Sequence, residues 1–192
     1  MNIMSTAIPE VKIIEPKVFG DNRGFFYETF SVKRYEEALG VSYRFVQDNL
    51  SRSEKGVLRG LHHQADFTQG KLVSVLNGSV FDVAVDIRVG SPTFGQSVGV
   101  ELNSENRYQL WVPPGFAHGF IVLSDYADFY YKCTNYYHPQ SEISLIWNDP
   151  DLAIDWPLEE NKKPSLSQKD INAKTLKTLI DEQTLPLYED WR

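Results

Sequence analysis

The chain has 192 residues, and 42% of them are hydrophobic, which is enough to build a core and still leave a polar surface. Its formal net charge of -7 and the scatter of its lysine and arginine residues argue against nonspecific binding to nucleic acid. The single cysteine, Cys133, excludes an internal disulfide and a zinc site built from several cysteines.

No segment predicts a membrane span, because the longest apolar run, around residues 120–123, is far too short to cross a bilayer. The N-terminus lacks a basic stretch followed by an apolar one, the pattern that would mark a secretory signal. We therefore expect a cytoplasmic protein with one domain over residues 1–192 and with no membrane or nucleic-acid partner.

The first predicted element is a helix at residues 31–39, since Ser31 is a favourable N-cap and Gly40 a typical C-terminal stop. Strands at residues 72–76 and 79–88 follow. They flank Asn77 and Gly78, a pair that favours a type I′ hairpin because both residues tolerate a positive φ. In the second strand hydrophobic residues alternate with polar ones such as Asp82, so one face is expected in the core and the other in a cavity or solvent.

Further strands are predicted at residues 99–102, 108–112, 119–123, 128–137 and 144–147, a spacing typical of a β-sandwich or a closed double sheet. Residues 157–164 read as a connection to a helix that begins at Ser167 and carries Ile171, Leu176, Leu179 and Ile180. The predicted fold class is therefore all-β with short accessory helices. The last helix and the tail, about residues 165–192, are expected to pack on the sandwich.

Two segments contain residue types suited to proton transfer. Residues 114–118 read Pro-Gly-Phe-Ala-His, a tight turn that would place His118 at the mouth of a β-barrel; the alternative is a half-buried histidine bonded to backbone. Residues 57–73 contain two histidines, His62 and His63, and two cations, Arg59 and Lys71. The histidines could act as bases beside the cations; the alternative is a solvated loop with ordinary surface charges. If this segment is extended, His62 and His63 point to opposite faces, so at most one of them faces a shared pocket.

The histidines are reminiscent of the metal-binding cupin barrels, which use a His-x-His pair, a downstream glutamate and a later histidine. This chain has adjacent histidines, and no glutamate lies between Glu54 and Glu101. Two imidazoles are too few ligands for a stable site, so we predict a barrel without a catalytic metal.

Short motifs follow one another in order along most of the chain. They lie at residues 23–26, 45–49, 58–62, 69–73, 81–86, 91–95, 114–120 and 148–150. This set resembles the dTDP-4-dehydrorhamnose 3,5-epimerase family, and the resemblance extends from about residue 8 to residue 170. It implies a cupin-like jelly roll and an enzyme that inverts C3 and C5 of dTDP-4-keto-6-deoxy-D-glucose, in dTDP-L-rhamnose biosynthesis.

The resemblance also implies catalytic roles. The family's general base matches His62, its partner acid Asp170 and its general acid Tyr131, while Lys71 is expected to stabilise an enolate. Asp170 has an alternative, because its spacing from Ser167 also fits a helix cap. On a strand Tyr131 shares a face with Phe129 and Cys133, and by itself it would read as core packing.

The remaining implied residues bind substrate. They are Arg23, Phe26, Glu28, Gln47, Asn49, Arg59, Lys71, His118, Glu142 and Lys169. The resemblance implies no cofactor and a homodimer in which Arg23 and Glu28 reach the neighbouring pocket. Four alternatives stay open: a mono-epimerase, a ketoisomerase, a sugar-binding cupin without turnover, and a metal-dependent oxygenase.

Overall fold

The computed structural model of the chain describes residues 1–159 and 162–191. Its strands are β1 (Asn2–Ser5), β2 (Lys12–Glu15), β3 (Val18–Asp21), β4 (Gly24–Tyr27), β5 (Gln47–Glu54), β6 (Leu58–Gln64), β7 (Lys71–Asn77), β8 (Ser79–Asp86), β9 (Ser97–Asn103), β10 (Gln109–Val112), β11 (Phe116–Val122), β12 (Tyr126–Cys133) and β13 (Glu142–Ser144). The helices are α1 (Val32–Leu39), α2 (Gln168–Ile171) and α3 (Leu176–Asp181), with 3₁₀ turns at Pro139–Ser141 and Tyr188–Trp191.

Two large antiparallel sheets form the body of the fold. One has the order β1-β2-β10-β7-β12-β5, and the other has the order β13-β6-β11-β8-β9. Among the described residues, strands β3 and β4 pair only with each other. This arrangement confirms the predicted all-β, cupin-like jelly-roll fold with short accessory helices.

Apolar side chains from both sheets meet in one core. Val73 and Phe129 come from the six-stranded sheet, and Val80, Ala84 and Phe120 come from the five-stranded sheet. The rings of Phe120 and Phe129 stack with their centroids 3.8 Å apart. This apolar core fixes the spacing of the two sheets, and a cavity lies between the same sheets.

A second apolar layer covers the outer face of the five-stranded sheet. Val83 and Val85 of β8 pack there with Trp156, Leu176 and Leu179 from the C-terminal part of the chain. β8 is consequently buried on both faces, and Asp82 and Asp86 are inaccessible to solvent. The polar face of this strand was predicted to lie in a cavity or in solvent, but both aspartates are buried and neither lines the cavity.

The predicted hairpin at Asn77 and Gly78 is wrong. β7 and β8 belong to different sheets, since β7 pairs with β10 and β12 whereas β8 pairs with β9 and β11. Gly78 has φ +75°, and a Cβ there would lie 2.1 Å from the carbonyl oxygen of Tyr126. The glycine therefore permits a sharp crossing from one sheet to the other instead of a hairpin turn.

The single helix predicted from Ser167 is two short helices. α2 ends at Ile171, and Lys174 then pairs in parallel with Leu145 beyond β13. This backbone pairing requires extended geometry, so it interrupts the helix before α3 begins. Leu176 and Leu179 are buried as predicted, but Ile171 and Ile180 are exposed.

Other boundaries differ from the sequence predictions. The strand predicted at residues 128–137 ends at Cys133, the one predicted at 144–147 lies at Glu142–Ser144, and β11 begins before Gly119, at Phe116. Strands β1 to β6 were not assigned from the sequence. Helix α1 is confirmed, with Ser31 at its N-cap and Gly40 at φ +69° after it. Within residues 1–159 and 162–191, every helix is too short or too polar to span a bilayer.

Candidate active site

A cavity of about 570 Å³ lies between the two large sheets. The six-stranded sheet contributes Gln47, Asn49, Ser51, Lys71, Phe129 and Tyr131 to its lining, and the five-stranded sheet contributes Arg59, His62, His118, Gly119, Phe120 and Glu142. Ser167, Lys169 and Asp170 reach it from the start of α2, and Gln69 and Tyr137 reach it from loops. A volume of this size suits a small organic ligand.

His62 and Asp170 form a hydrogen-bonded pair at the cavity wall. His62 Nε2 lies 2.6 Å from Asp170 Oδ1, the imidazole is 22% exposed, and the carboxylate is 2% exposed. Burial alone would raise the pKa of Asp170, but hydrogen bonds from His62 and Ser167 outweigh burial and hold the pKa below its usual value. An ionised carboxylate on Nε2 keeps the proton there and leaves Nδ1 as the basic atom.

The sequence left open whether Asp170 only caps its own helix. The cap is made by Ser167, whose Oγ accepts the backbone N–H of Asp170 at 3.2 Å. The Asp170 carboxylate is instead bonded to His62 and to the Ser167 hydroxyl. The geometry therefore favours the histidine partner over the cap.

A bulge between β6 and β11 brings Arg59 and His62 to the same cavity. His118 pairs with His62 and Phe120 pairs with Arg59, so two residues of β6 lie opposite the single residue Gly119. In a regular strand, residues three apart face opposite sides of the sheet. The extra residue of the bulge shifts this alternation, so that Arg59 and His62 face the same side. A Cβ on Gly60 would lie 2.7 Å from Gly119 Cα, so the close approach of the two strands requires glycine.

His63 does not line the cavity. Its Nδ1 contacts the carbonyl oxygen of Phe116 at 3.3 Å, and its buried Nε2 has no hydrogen-bond partner in the described part of the chain. Burial lowers the pKa of His63 to about 4, so this imidazole is neutral in the folded protein at neutral pH. His62 is the one of the two adjacent histidines that faces the cavity.

Tyr131 faces His62's sheet from the opposite side of the cavity. It lies on β12 beside Phe129, with ring centroids 5.9 Å apart, whereas Tyr130 points away and donates to Asp48. Burial raises the pKa of Tyr131 to about 12, so the phenol keeps its proton at neutral pH. A protonated phenol is suited to act as an acid.

Lys71 is at the start of β7 and points into the same cavity. Burial lowers its pKa, although nearby acidic groups such as Glu142 and Asp82 oppose the shift. Its ammonium group forms no hydrogen bond within residues 1–159 and 162–191. An unengaged cation in a partly desolvated cavity can stabilise negative charge on a ligand.

A second histidine–carboxylate pair lies beside the first. His118 Nε2 is 2.8 Å and 3.1 Å from the two oxygens of Asp82, and the carboxylate is fully buried. The imidazole stacks on Phe129 at 6.1 Å between centroids and is only 7% exposed. His118 is in β11 rather than in the preceding turn, so its predicted position at a turn is wrong; it is bonded to a carboxylate and not to backbone.

Polar groups at the cavity are linked in two networks. Lys169 and the Tyr137 hydroxyl both donate to Glu142, at 2.8 Å and 2.9 Å. Opposite them, the Gln47 amide donates to Asn49 Oδ1 at 3.0 Å and accepts the backbone N–H of Tyr137 at 2.9 Å. Tyr137 therefore joins the two networks.

Three predicted binding residues are not in this cavity. Arg23 and Phe26 are on the exposed β3–β4 hairpin, where Arg23 pairs with Asp21, and Glu28 pairs with Arg34 at 3.5 Å. The other ten residues predicted for catalysis or binding all line the cavity; they are Gln47, Asn49, Arg59, His62, Lys71, His118, Tyr131, Glu142, Lys169 and Asp170.

Sequence reasoning missed several residues of the site. Asp82 and Gln69 both lie in motifs recognised by resemblance, but neither was assigned a role. Ser51 lies in no recognised motif, and Tyr137 is predicted only as the last residue of a strand, so the sequence identifies neither as a site residue. Ser167 was assigned only as a helix start.

In the part of the chain that the structure describes, no three His, Cys, Asp or Glu side chains are grouped as metal ligands. His62 and His118 are each bonded to a different carboxylate. The donor set therefore consists of two separate pairs rather than one cluster.

Comparisons with known proteins identify relatives over most of the chain. Residues 5–178 match the sequence model of the family described as dTDP-4-dehydrorhamnose 3,5-epimerase. A protein of that name from Salmonella typhimurium is 58% identical over 177 residues, covering 92% of this chain and 96% of the relative. Another, from Pseudomonas aeruginosa, is 56% identical over 174 residues, covering 91% and 95%.

Solved structures of enzymes with similar names have the same fold as this chain. A dTDP-6-deoxy-D-glucose-3,5-epimerase from Legionella pneumophila, in complex with dTDP-4-keto-L-rhamnose, has a TM-score of 0.93 and 67% identity, and the match covers 97% of this chain and 98% of that one. A 3'-monoepimerase from Streptomyces bikiniensis, in complex with dTDP-quinovose, has a TM-score of 0.91 and 34% identity, with coverage of 97% and 94%. Sequence, fold and cavity thus agree: the chain belongs to the dTDP-4-dehydrorhamnose 3,5-epimerase family and is an isomerase of the carbohydrate-epimerase class.

Proposed function

We propose that the chain converts dTDP-4-keto-6-deoxy-D-glucose to dTDP-4-keto-L-rhamnose by inverting C3 and C5, with His62 as general base and Tyr131 as general acid. The names of its relatives support this reaction, and the ligand of the Legionella structure is its product, dTDP-4-keto-L-rhamnose. One observation carries the residue roles: a single cavity has His62 on one sheet and Tyr131 on the opposite sheet.

The chemistry follows from the 4-keto group. A ketone acidifies the hydrogens on both neighbouring carbons, so a base can remove a proton from C3 or C5 and leave an enolate. His62 accepts that proton on Nδ1 while Nε2 stays bonded to Asp170. Tyr131 then protonates the same carbon from the opposite face, which inverts the centre. Exchange with solvent removes the proton from His62 and returns one to Tyr131 before the second carbon reacts. No electrons are gained or lost overall, so the reaction needs no redox cofactor.

Lys71 stabilises the enolate oxygen in this mechanism. Its ammonium group carries no hydrogen bond within the described residues and lies in a partly buried cavity, where a charge interacts strongly with a developing oxyanion. The interaction strengthens as negative charge moves from the carbon to the oxygen. It therefore lowers the barrier rather than only binding the substrate.

The nucleotide diphosphate supplies binding energy that holds the sugar in place. Arg59 forms no ion pair with a carboxylate in the described part of the chain, and its guanidinium is hydrogen-bonded to Ser53 at 3.0 Å. The planar guanidinium of Arg59, with several N–H donors, suits the oxygens of a diphosphate. Gln47 and Asn49 present amides that can read a pyrimidine edge. Lys169, His118 and Glu142 complete the set of binding residues.

A homodimer is part of the proposal. Arg23, Phe26 and Glu28 lie outside the chain's own cavity, so they can serve a binding role only in a neighbouring subunit. The β3–β4 hairpin exposes Phe19, Phe25 and Phe26 at 55%, 60% and 71%. Exposed aromatic residues on a projecting hairpin are typical of an interface.

The proposal also keeps one domain over residues 1–192, in the cytoplasm, within dTDP-L-rhamnose biosynthesis. The C-terminal part supports the single domain, since Ser165 pairs with Val57 before β6 and Leu187 pairs with Val89 after β8.

A single isotope experiment tests the activity. The enzyme is incubated with dTDP-4-keto-6-deoxy-D-glucose in heavy water, and deuterium at each sugar carbon is read by NMR. We expect label at C3 and C5 and product of the L-rhamno configuration. A ligand that stays unlabelled would overturn the proposal and favour a sugar-binding cupin without turnover.

A mono-epimerase is the second candidate, and the Streptomyces 3'-monoepimerase is the observation that favours it. The same spectra separate the two. Label and inversion at C3 alone would replace double epimerisation by the single reaction, whereas a shifted keto group would indicate a ketoisomerase.

A further inference from the structure

Ser167 touches the carboxylate that pairs with His62. Its hydroxyl donates to Asp170 Oδ2 at 2.8 Å, while Oδ1 of the same carboxylate lies 2.6 Å from His62 Nε2. The Ser167 oxygen also accepts the backbone N–H of Asp170 at 3.2 Å and so caps α2. One hydroxyl thus both closes the start of a helix and holds the free oxygen of the carboxylate.

The second contact matters because, in the described part of the chain, the Asp170 carboxylate has hydrogen bonds only to His62 and Ser167. Helix α2 has four residues, far fewer than a helix needs to be stable by itself. The carboxylate is 2% exposed, so water does not fix its free oxygen. If only His62 held the carboxylate, rotation of the side chain would carry the imidazole with it.

The geometry points to Ser167 as a positioning residue for the epimerisation: it fixes the Asp170 carboxylate so that His62 presents Nδ1 to the sugar. The three side chains form a chain of hydrogen bonds from α2 to β6. This inference rests on the proposed roles of His62 and Asp170, and Ser167 itself does not exchange a proton with the substrate.

The charges around Asp170 determine the direction of the effect. The groups that face it are His62 on β6 and Lys169 on α2, and both favour its ionised form. Burial opposes them. Removing the Ser167 donor takes one hydrogen bond from the charged form, so the pKa of Asp170 should rise.

Three substitutions separate the two functions of the hydroxyl. Ser167→Ala removes both the cap and the donor. Ser167→Asp keeps a favourable N-cap but cannot donate, and it adds a second carboxylate beside Asp170. Ser167→Thr keeps both functions.

The chain also offers a matched control. Thr175 caps α3 as Ser167 caps α2, with its Oγ1 accepting the backbone N–H three residues on, at 3.2 Å. Thr175 does not line the cavity. Thr175→Ala therefore removes an equivalent helix cap without touching the histidine pair.

The experiment measures steady-state kinetics and the titration of the Asp170 carboxyl carbon by NMR in each variant. For Ser167→Ala and Ser167→Asp we expect kcat to fall about 10-fold, the factor that loss of one hydrogen bond to a charged group gives, with KM within about twofold. The pKa of Asp170 should rise in both. Ser167→Thr and Thr175→Ala should match the unmodified enzyme in kcat and in this titration.

The inference is overturned if Ser167→Ala keeps kcat within about twofold, if its Asp170 titration is unchanged, or if Thr175→Ala loses as much activity. Asp170→Asn distinguishes this from a failure of the proposed function. If Asp170→Asn is fully active, the role of the histidine pair is wrong; if it is inactive while Ser167→Ala is normal, only the role of Ser167 is wrong.

Discussion

The cavity is lined by the imidazoles of two histidine–carboxylate pairs that are chemically alike but differently built. In both, Nε2 of the imidazole meets a carboxylate oxygen at hydrogen-bond distance. Asp82 and His118 come from adjacent strands of one sheet, and the imidazole is 7% exposed and stacked on Phe129. Asp170 instead reaches His62 from a separate short helix, and that imidazole is 22% exposed.

The difference shows how surroundings assign roles to the same side chains. A proton acceptor must reach the substrate, and the more exposed imidazole of His62 satisfies that condition. The His118 pair is locked into the sheet, where it can form a fixed wall or hold a polar group of the ligand. We therefore expect His62 to govern kcat and His118 to govern binding.

The largest effect is expected for His62→Ala. Loss of the general base should lower kcat about 1,000-fold and abolish deuterium exchange at C3 and C5, while dTDP binding stays close to that of the unmodified enzyme. Exchange measured by NMR and dTDP affinity measured by calorimetry check this. Retained exchange would show that another residue is the general base, and the contrast drawn between the two histidine pairs would then be wrong.

Tyr131→Phe should lower the rate of inversion about 100-fold, because the phenol that supplies the proton on the second face is lost. His62 can still remove a proton and return a deuteron to the same face. We expect deuterium at C3 without inversion, read from coupling constants of the recovered sugar. Inversion at the normal rate would show that another group or water delivers the proton.

Asp170→Asn and Asp82→Asn form a matched test of the two pairs. The first removes the charge that stabilises a protonated His62, so kcat should fall about 100-fold. The second alters only the hold on His118, so KM should rise about fivefold with kcat within about twofold. Steady-state kinetics with both variants decide. Equal losses of kcat would mean that both pairs take part in proton transfer.

A third imidazole extends the comparison, since His63 is buried and has no carboxylate partner in the described part of the chain. Burial lowers its pKa to about 4, below the value of about 6.5 in an unfolded chain. Between these values the unfolded chain binds a proton that the folded protein does not, so the stabilisation is present above about pH 6.5 and lost as the pH falls towards 4.

His63→Phe should remove that dependence and leave kcat unchanged. Between pH 7 and pH 4 the unmodified protein should lose about 3 kcal/mol more of its free energy of unfolding than the variant loses. Denaturant unfolding at several pH values measures the difference. Equal pH dependence in the two proteins would show that His63 titrates normally in the fold.

The sequence predicted the fold class because hydrophobic alternation marks strands in the middle of the chain, from β7 to β12. It did not mark β5, where Gln47, Asn49 and Ser51 face the cavity and the other face is solvent-exposed at Leu50. A strand that lines a polar cavity lacks the alternation that identifies strands. The polar side chains that line the cavity are therefore also the reason why β5 could not be predicted from the sequence.

Predictions from local turn residues were also wrong where the structure depends on pairing with a segment that is distant in the sequence. Asn77 and Gly78 are typical of a hairpin, but which sheet each flanking strand joins is decided by long-range pairing. The break between α2 and α3 has the same cause, because Lys174 pairs with a strand end 29 residues away. Secondary-structure propensity depends only on the local segment, and tertiary contacts can override it.

The candidate site was predicted more completely than the strands around it. Motifs recognised by resemblance include His62, Lys71 and His118, all at the cavity. The contacts that define those residues were not predictable, since the bulge at Gly60 and the bond from Ser167 to Asp170 depend on how strands and helix approach in space.

A crystal structure of this enzyme with dTDP-4-keto-L-rhamnose tests the central claim most directly. The account predicts one hexose ring lying between the sheets, with His62 Nδ1 and Tyr131 Oη on opposite faces and each within about 3.5 Å of C3 or C5. A ring with both groups on the same face, or with either group too far to reach those carbons, would contradict it.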